Sequence, residues 1–256
     1  MTFPGHPDKH KYTPVLKAVD LLAHRRNTSK LREFRARNVI VLHHAATLSY
    51  AVKRYKGRKI QGLFGEVYIL RGPQERIAIA GNFGIGAPAT AALLEEMAVL
   101  GVQRCVSIGV SGGLQRNLEA GQLILVTNAI RDEGTSYHYA PRETIAQASL
   151  ALTNCLESIL AQHRLSYLKG TVWTTDAPYR ETAAEVEQYQ REGVLTVEME
   201  ASALFIVGAA LGIETACGLV VADSLAGGVW QPPSNNSSVL NSMRAVLGAS
   251  IEALSS

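Results

Sequence analysis

Short apolar runs alternate with longer amphipathic ones along the chain. VIVL (39–42) is the first convincing strand; it ends on His43-His44, and a short helix over 45–55 follows. Residues 55–59 (YKGRK) read as a basic turn. GEVYILR (65–71) and RIAIAGNF (76–83), split by a Gly-Pro pair, predict a hairpin. Strands are expected over 105–110, 123–130 and 168–176, and helices over 89–100, 144–163, 183–192 and 239–254. Near the start, Thr13-Pro14 offers an N-cap and an N1 proline. A helix to about residue 26 would place Val15, Val19 and Leu22 on one face.

The stretch 194–225 (VLTVEMEASALFIVGAALGIETACGLVVADSL) has the clearest logic. An apolar run carries Glu198 and Glu200, small and apolar residues follow to Gly212, and a second apolar run ends on Asp223-Ser224. This predicts strand, helix and strand, with acids at both strand ends. Ligands of α/β sheets bind at the carboxyl ends of strands, so Glu200 and Asp223 are expected to face one pocket. The whole pattern predicts an α/β fold: a single-domain three-layer sandwich with a mixed, largely parallel central sheet flanked by helices. Residues 38–256 form that domain, and 1–37 form a basic helical arm.

Composition narrows the class. At 256 residues, 47% hydrophobic and 18% charged, the chain is long and apolar enough for one large packed domain and is unlike a disordered one. Cys105, Cys155 and Cys217 are widely spaced, which gives neither a disulfide framework nor a zinc motif. The first residues lack an apolar signal core, and the apolar stretch 201–222 is broken by Gly212, so a cytoplasmic protein without a membrane span is expected. The net charge of +3 hides an asymmetry: residues 1–59 hold 14 Lys+Arg against 3 Asp+Glu, leaving 11 against 19 for the remainder. No interleaved aromatics or recognition helix accompany the basic arm, which argues against nucleic acid. A solvated face, a subunit contact or attraction of an anionic substrate explains it.

GNFGIGAPAT (81–90) matches neither GxGxxG nor a P-loop, so a nucleotide triphosphate is not indicated. Its glycines, among them Gly84, still permit close backbone approach to a ligand. SIGVSGG (107–113) gives a second glycine-rich strand end.

Taken together these segments resemble the nucleoside phosphorylase superfamily, which includes uridine phosphorylases, hexameric purine nucleoside phosphorylases and methylthioadenosine nucleosidases. The resemblance rests on GNFGIGAPATAALLEEMAVLGV, SIGVSGGL, LEAGQLILVTNAIRDEGTSYHYAP, VEMEASAL and VVADS, in order over about 38–254. It implies cleavage of a nucleoside N-glycosidic bond in a dimer-based homo-oligomer, often a hexamer. It implies no metal and no cofactor.

Such cleavage gives the sugar oxocarbenium character and leaves negative charge on the departing base. By resemblance, Glu200 accepts from the ribose hydroxyls, Met199 packs on the sugar, and Glu198 assists or serves as a structural acceptor. Asp223 protonates or hydrogen-bonds a purine N7; the apolar run before it predicts burial and a raised pKa, and capping a following turn is the plainer reading. Ser111, Gly112 and Tyr179 line the base pocket, while Trp173 and His138 read as structural. Uridine phosphorylases generally lack the aspartate, and their uracil-binding Gln/Arg insertion has no counterpart between Thr175 and Val197, so a purine-like base is favoured. The phosphate pocket departs from the pattern. His43-His44-Ala45-Ala46 replaces a Gly-Asp-Pro loop, Ser107 stands at an arginine position, and Val110 stands at a hydroxyl position. Arg58 or Arg71 are candidates for the neighbouring subunit's arginine. His43, His44, Gly84 and Ser107 thus form a candidate acceptor pocket for inorganic phosphate or water. Phosphorolysis is the leading expectation; hydrolysis and non-catalytic nucleoside sensing are the alternatives.

Overall fold

Strand β1 (Asn38–Leu42) is buried at every position and shows how the layers form. Val39 and Val41 point into one hydrophobic layer, and Ile40 and Leu42 into the other, as strand alternation requires. The first layer packs α3 (Ala87–Val99) and α6 (Ala201–Leu211) on the sheet. The second packs α2 (Ala45–Arg54), α4 (Leu150–Gln162) and α7 (Asn236–Ser255). This computed structural model describes residues 6, 8–24, 34–74, 76–233 and 235–256.

The remaining strands are β2 (Arg58–Ile60), β3 (Glu66–Ile69), β4 (Ile77–Gly81), β5 (Arg104–Gly113), β6 (Leu123–Asp132), β7 (Ala146–Gln147), β8 (Tyr167–Thr175), β9 (Thr196–Glu198) and β10 (Glu214–Ser224). Their order is β10-β6-β8-β9-β5-β1-β4-β3-β2, with β7 on β6. Parallel ladders join β10, β5, β1 and β4 in the middle. β3 pairs antiparallel with both β2 and β4 at one edge. Because β10 pairs with β5 as well as β6, strands β10, β6, β8, β9 and β5 close into a ring. β9 meets β5 only at Gly112 and Gly113. The ring therefore closes where the carboxyl end of β5 meets the start of β9, beside Asp223 near the end of β10.

Three local expectations are corrected. The first helix, α1, spans Ala18–His24 and does not start at Thr13-Pro14. Asp20 reaches back to accept from the Lys17 N–H at 3.3 Å, an acidic first-turn cap that sets the later start. Val15 and Val19 are exposed, Leu22 is buried, and the expected end at residue 26 lies outside the described residues. The basic turn is instead partly strand: β2 pairs with β3, and Lys59 reaches Glu66 at 2.5 Å. The helix expected from residue 144 begins only at Leu150. Ser149 caps it, and Ala146–Gln147 pairs with β6 as β7. The α5 helix (Ala183–Arg191) forms where expected, opened by a Thr182–Glu185 capping box.

Candidate active site

The apolar residues of β9 and α6 seat the first acid pair. Glu198 ends β9, and Glu200 is the N-cap of α6. The Glu198 carboxylate accepts from the main-chain N–H of Glu200 and of Ala201, both at 2.8 Å, and from the Thr174 hydroxyl at 2.5 Å. Thr174 in turn accepts from the Ser202 N–H at 3.0 Å. Glu198 therefore ties the start of α6 to β8, the structural half of its sequence reading. Burial and the charge of Glu200 push its carboxyl upward, while these hydrogen bonds pull it back.

Glu200 faces another way. Its Oε1 accepts from the Gly86 N–H at 2.6 Å and lies 3.7 Å from Nδ1 of His43. His43 is largely buried, its ring set edge-on to Phe83, and its Nε2 is hydrogen-bonded to Ser107 Oγ at 3.0 Å. Burial drives the imidazole below its ordinary value and outweighs the pull of Glu200, so it is neutral near pH 7. The carboxylate opposite Nδ1 favours the proton on that nitrogen, which leaves Nε2 to accept from Ser107. His43, Ser107 and Glu200 thus come together as one buried group. His44 does not join them: it is half-buried and binds Thr47 Oγ1 at 2.9 Å from its own Nδ1. Gly84 stays exposed, and Gly86, not singled out in the sequence, is the loop residue that reaches Glu200. A glycine directly before a helix that starts Ala-Pro was the available signal.

The second acid, Asp223, lines a cleft of about 700 Å³; Glu200, expected to face the same pocket, is not among its lining residues, and its neighbours Glu198 and Met199 reach the cleft instead. Met199, Glu198, Ser111 and Gly112 line it, together with Asp223, Trp230 and Glu181. A bulge between Val221 and Asp223 sets Asp223 opposite Gly112 of β5. A side chain at Gly112 would meet Leu225 Cδ1 at 2.6 Å and Asp223 Oδ1 at 3.2 Å, so it would have to displace these side chains from the cleft floor. Asp223 is only partly buried, contrary to the sealed position expected from its apolar run, and it accepts from Trp230 Nε1 at 2.7 Å. It lies in β10, and the turn after it is capped by Ser224, whose Oγ accepts from the Ala226 N–H at 3.2 Å, so Asp223 does not take the turn-capping role. Tyr179 touches the cleft rim, but its side chain is 99% exposed, so it does not enclose a base in this chain alone. Trp173 is structural as expected: buried, donating to Asp132 at 2.9 Å and packed on Tyr189. Among the described residues no lysine or arginine lines the cleft. Among the described residues no group of three His, Cys, Asp or Glu has metal-site geometry, and no helix is long and apolar enough to cross a membrane.

Glu181 had no sequence signal beyond its place before a capping box. It is half-buried, and burial together with the charges of Asp223 and Glu185 pushes its carboxyl up to about 7.

The sequence profile of the Phosphorylase superfamily matches residues 37–254. The chain belongs to this superfamily. Among curated relatives, a uridine phosphorylase from Treponema pallidum is 34% identical over 149 residues, covering 54% of this chain and 58% of that protein. A guanosine phosphorylase from Halorubrum lacusprofundi is 28% identical over 145 residues, covering 57% of this chain and 60% of that protein. The matched stretch thus spans less than two thirds of these relatives. The superfamily fold extends further. A uridine phosphorylase structure from Vibrio fischeri superposes with a TM-score of 0.76 at 26% identity, covering 86% of this chain and 91% of that one. An AMP nucleosidase structure from Bacteroides thetaiotaomicron shares the fold, with a TM-score of 0.75 at 21% identity over 93% of this chain and 96% of that one.

Proposed function

We propose that this superfamily member cleaves the N-glycosidic bond of a nucleoside, with a purine-like base favoured and inorganic phosphate as acceptor. The observation that carries the reading is the cleft lined by Asp223, Glu198 and Met199, with Glu200 next in sequence to Met199 at the start of α6. Glu200 is fixed at the start of α6 by the Gly86 N–H, and Asp223 stands beside Trp230. Glu200 stabilises the developing ribose cation and accepts from its hydroxyls. Asp223 offers hydrogen bonding to the departing base, and the Trp230 indole holds it in place. Met199 supplies apolar contact for the sugar between them. The relatives named uridine and guanosine phosphorylase support phosphate as acceptor. A dimer-based homo-oligomer is part of this reading, since the exposed Tyr179 and the open rim leave the base side of the cleft unwalled within one chain.

One observation favours water instead. At the positions where the resemblance places phosphate-binding groups, the chain has a neutral, largely buried His43 bonded to Ser107, and among the described residues no guanidinium or ammonium group lines the cleft. A dianion is poorly held without such groups. Incubation with purine and pyrimidine nucleosides, with and without phosphate, separates the readings. Base release that requires phosphate supports phosphorolysis, and equal release without it supports hydrolysis. Saturable binding with no release leaves a sensing protein and removes the enzyme reading.

A further inference from the structure

The histidine that follows β1 carries a ring nitrogen that nothing pairs. Nδ1 of His43 is sealed from solvent and has no hydrogen-bond partner among the described residues, although buried polar atoms are normally paired. Opposite it stands Oε1 of Glu200 at 3.7 Å, just beyond the reach of a hydrogen bond. The ring is held on several sides. Its main-chain N–H donates to the Ile108 carbonyl at 3.0 Å, Phe83 stands edge-on with the centroids 5.2 Å apart, and Nε2 is tied to Ser107 Oγ. Gly109 packs close, where an added Cβ would lie 3.6 Å from that of His43.

The neighbours of Ser107 settle which ring nitrogen carries the proton. Cys217 pairs with Ser107 across the β10–β5 ladder, and its thiol stands within reach of the hydroxyl. Burial, followed by the charges of Glu198 and Glu200, pushes this thiol well above its ordinary value, so it keeps its proton. It therefore offers Ser107 no charged acceptor, and the hydroxyl hydrogen is left for Nε2 of His43. The imidazole proton then sits on Nδ1, facing Glu200. Glu200 has capacity for it. Its Oε1 accepts only from the Gly86 N–H, and Oε2 has no hydrogen-bond partner among the described residues.

We propose that His43 is the positioning residue for Glu200: its Nδ1–H closes onto Oε1 when a ribose binds, so that Gly86 and His43 together hold Oε1 and Oε2 alone faces the sugar hydroxyls. This rests on the nucleoside-cleavage reading, in which Glu200 is the carboxylate that serves the ribose. Hydrogen bonds among catalytic groups are often long in the empty protein and tighten in the complex. A misplacement of about 1 Å can cost about 10²-fold in rate, so a small closure has a large effect. A neutral donor suits the task. It orients the carboxylate without cancelling the negative charge that a developing sugar cation needs, as a lysine or arginine in the same place would. The assignment also takes His43 out of direct contact with the acceptor. Nε2 is occupied by Ser107 and Nδ1 by Glu200, which leaves neither nitrogen for phosphate or water.

The test is nuclear magnetic resonance of the protein with nitrogen-15-labelled histidine, before and after addition of guanosine, inosine, adenosine or uridine, with base release measured in parallel. The His43 Nδ1–H proton is expected to move downfield with at least one ribonucleoside and to move little with the 2′,3′-dideoxy form of the same base. The signal is expected to be absent in His43→Gln and unmoved by ligand in Glu200→Gln. Kinetics give the second readout. His43→Gln places its amide near the Nε2 position, keeps the Ser107 contact and loses the Nδ1 donor, so kcat is expected to fall about tenfold to 10²-fold. His43→Asn, whose amide nitrogen takes the Nδ1 place, is expected to recover a large part of that loss. In the Glu200→Gln background His43→Gln is expected to cost less than about twofold more, the non-additivity of coupled residues. No ligand-dependent shift, no binding of any nucleoside, or a full further loss in the double variant overturns the proposal. A lower Tm with unchanged kcat in His43→Gln also overturns it, since that is the mark of a purely structural histidine. A shift without base release keeps this assignment and removes the cleavage reading. Base release without a shift does the reverse.

Discussion

The Gly86 main chain donates to Oε1 of Glu200 at 2.6 Å, although the two residues are 114 positions apart. The contact pins the loop before α3 onto the start of α6. Gly86 sits at φ 87, ψ 173, a region open essentially to glycine alone. Space does not exclude a side chain there, since a Cβ would meet only Met199 Cε and Pro88 Cδ at 3.8 Å. The cost of Gly86→Ala is therefore conformational, about 1–3 kcal/mol. At roughly 2–4 °C per kcal/mol for a chain of this size, Tm is expected to fall by several degrees in a thermal melt. An unchanged Tm would show that this backbone geometry is not required.

Glu198 and Glu200 are two residues apart and have different work. Glu198→Ala strips the acceptor from two buried N–H groups and the Thr174 hydroxyl. Loss of a cap and of buried hydrogen bonds is expected to cost about 2–4 kcal/mol, read as a lower denaturation midpoint in urea. A midpoint within error of wild type would contradict the capping role.

His43 gives a pH dependence of defined sign. Its folded-state pKa lies below the ordinary value of 6.5 because burial disfavours the charged ring. The unfolded chain therefore binds a proton first as pH falls, and stability contributed by the neutral ring is lost from about pH 6.5 downward, through the folded-state value. His43→Gln is expected to flatten this part of the profile, so its Tm falls less between pH 7.5 and pH 5 than that of wild type. Parallel profiles would place the acid sensitivity elsewhere; His44, also lowered by burial, is the next group to substitute.

Much of this arrangement is written in local pattern. The strand–helix–strand of 194–225 appears as β9, α6 and β10 because uninterrupted apolar runs leave few alternatives. The two acids at the strand ends follow from the same pattern. What stayed hidden depends on distant partners. β2 is three residues long, two of them charged, and only pairing with β3 makes it a strand. β7 is hidden inside a helical-looking run until β6 pairs with it. Closure of the ring through β5 and β10 is a long-range contact that periodicity cannot encode. Within the site, His43 and Ser107 were found one by one, but their link to Glu200 through burial was not visible. Tyr179 was placed at the base by resemblance, whereas its short turn (Pro178–Arg180) leaves the ring in solvent.

In the proposed function, Glu200 is the group that stabilises the ribose cation during cleavage of the glycosidic bond. Its direct test is the rate of free-base release from guanosine with phosphate present, comparing wild type with Glu200→Gln. The amide oxygen can still accept from the Gly86 N–H, so the fold is expected to persist, with Tm within a few degrees of wild type. The neutral side chain no longer stabilises a developing cation, and kcat is expected to drop by about 10²-fold or more. Wild-type release of base with an unchanged rate in Glu200→Gln would contradict the account.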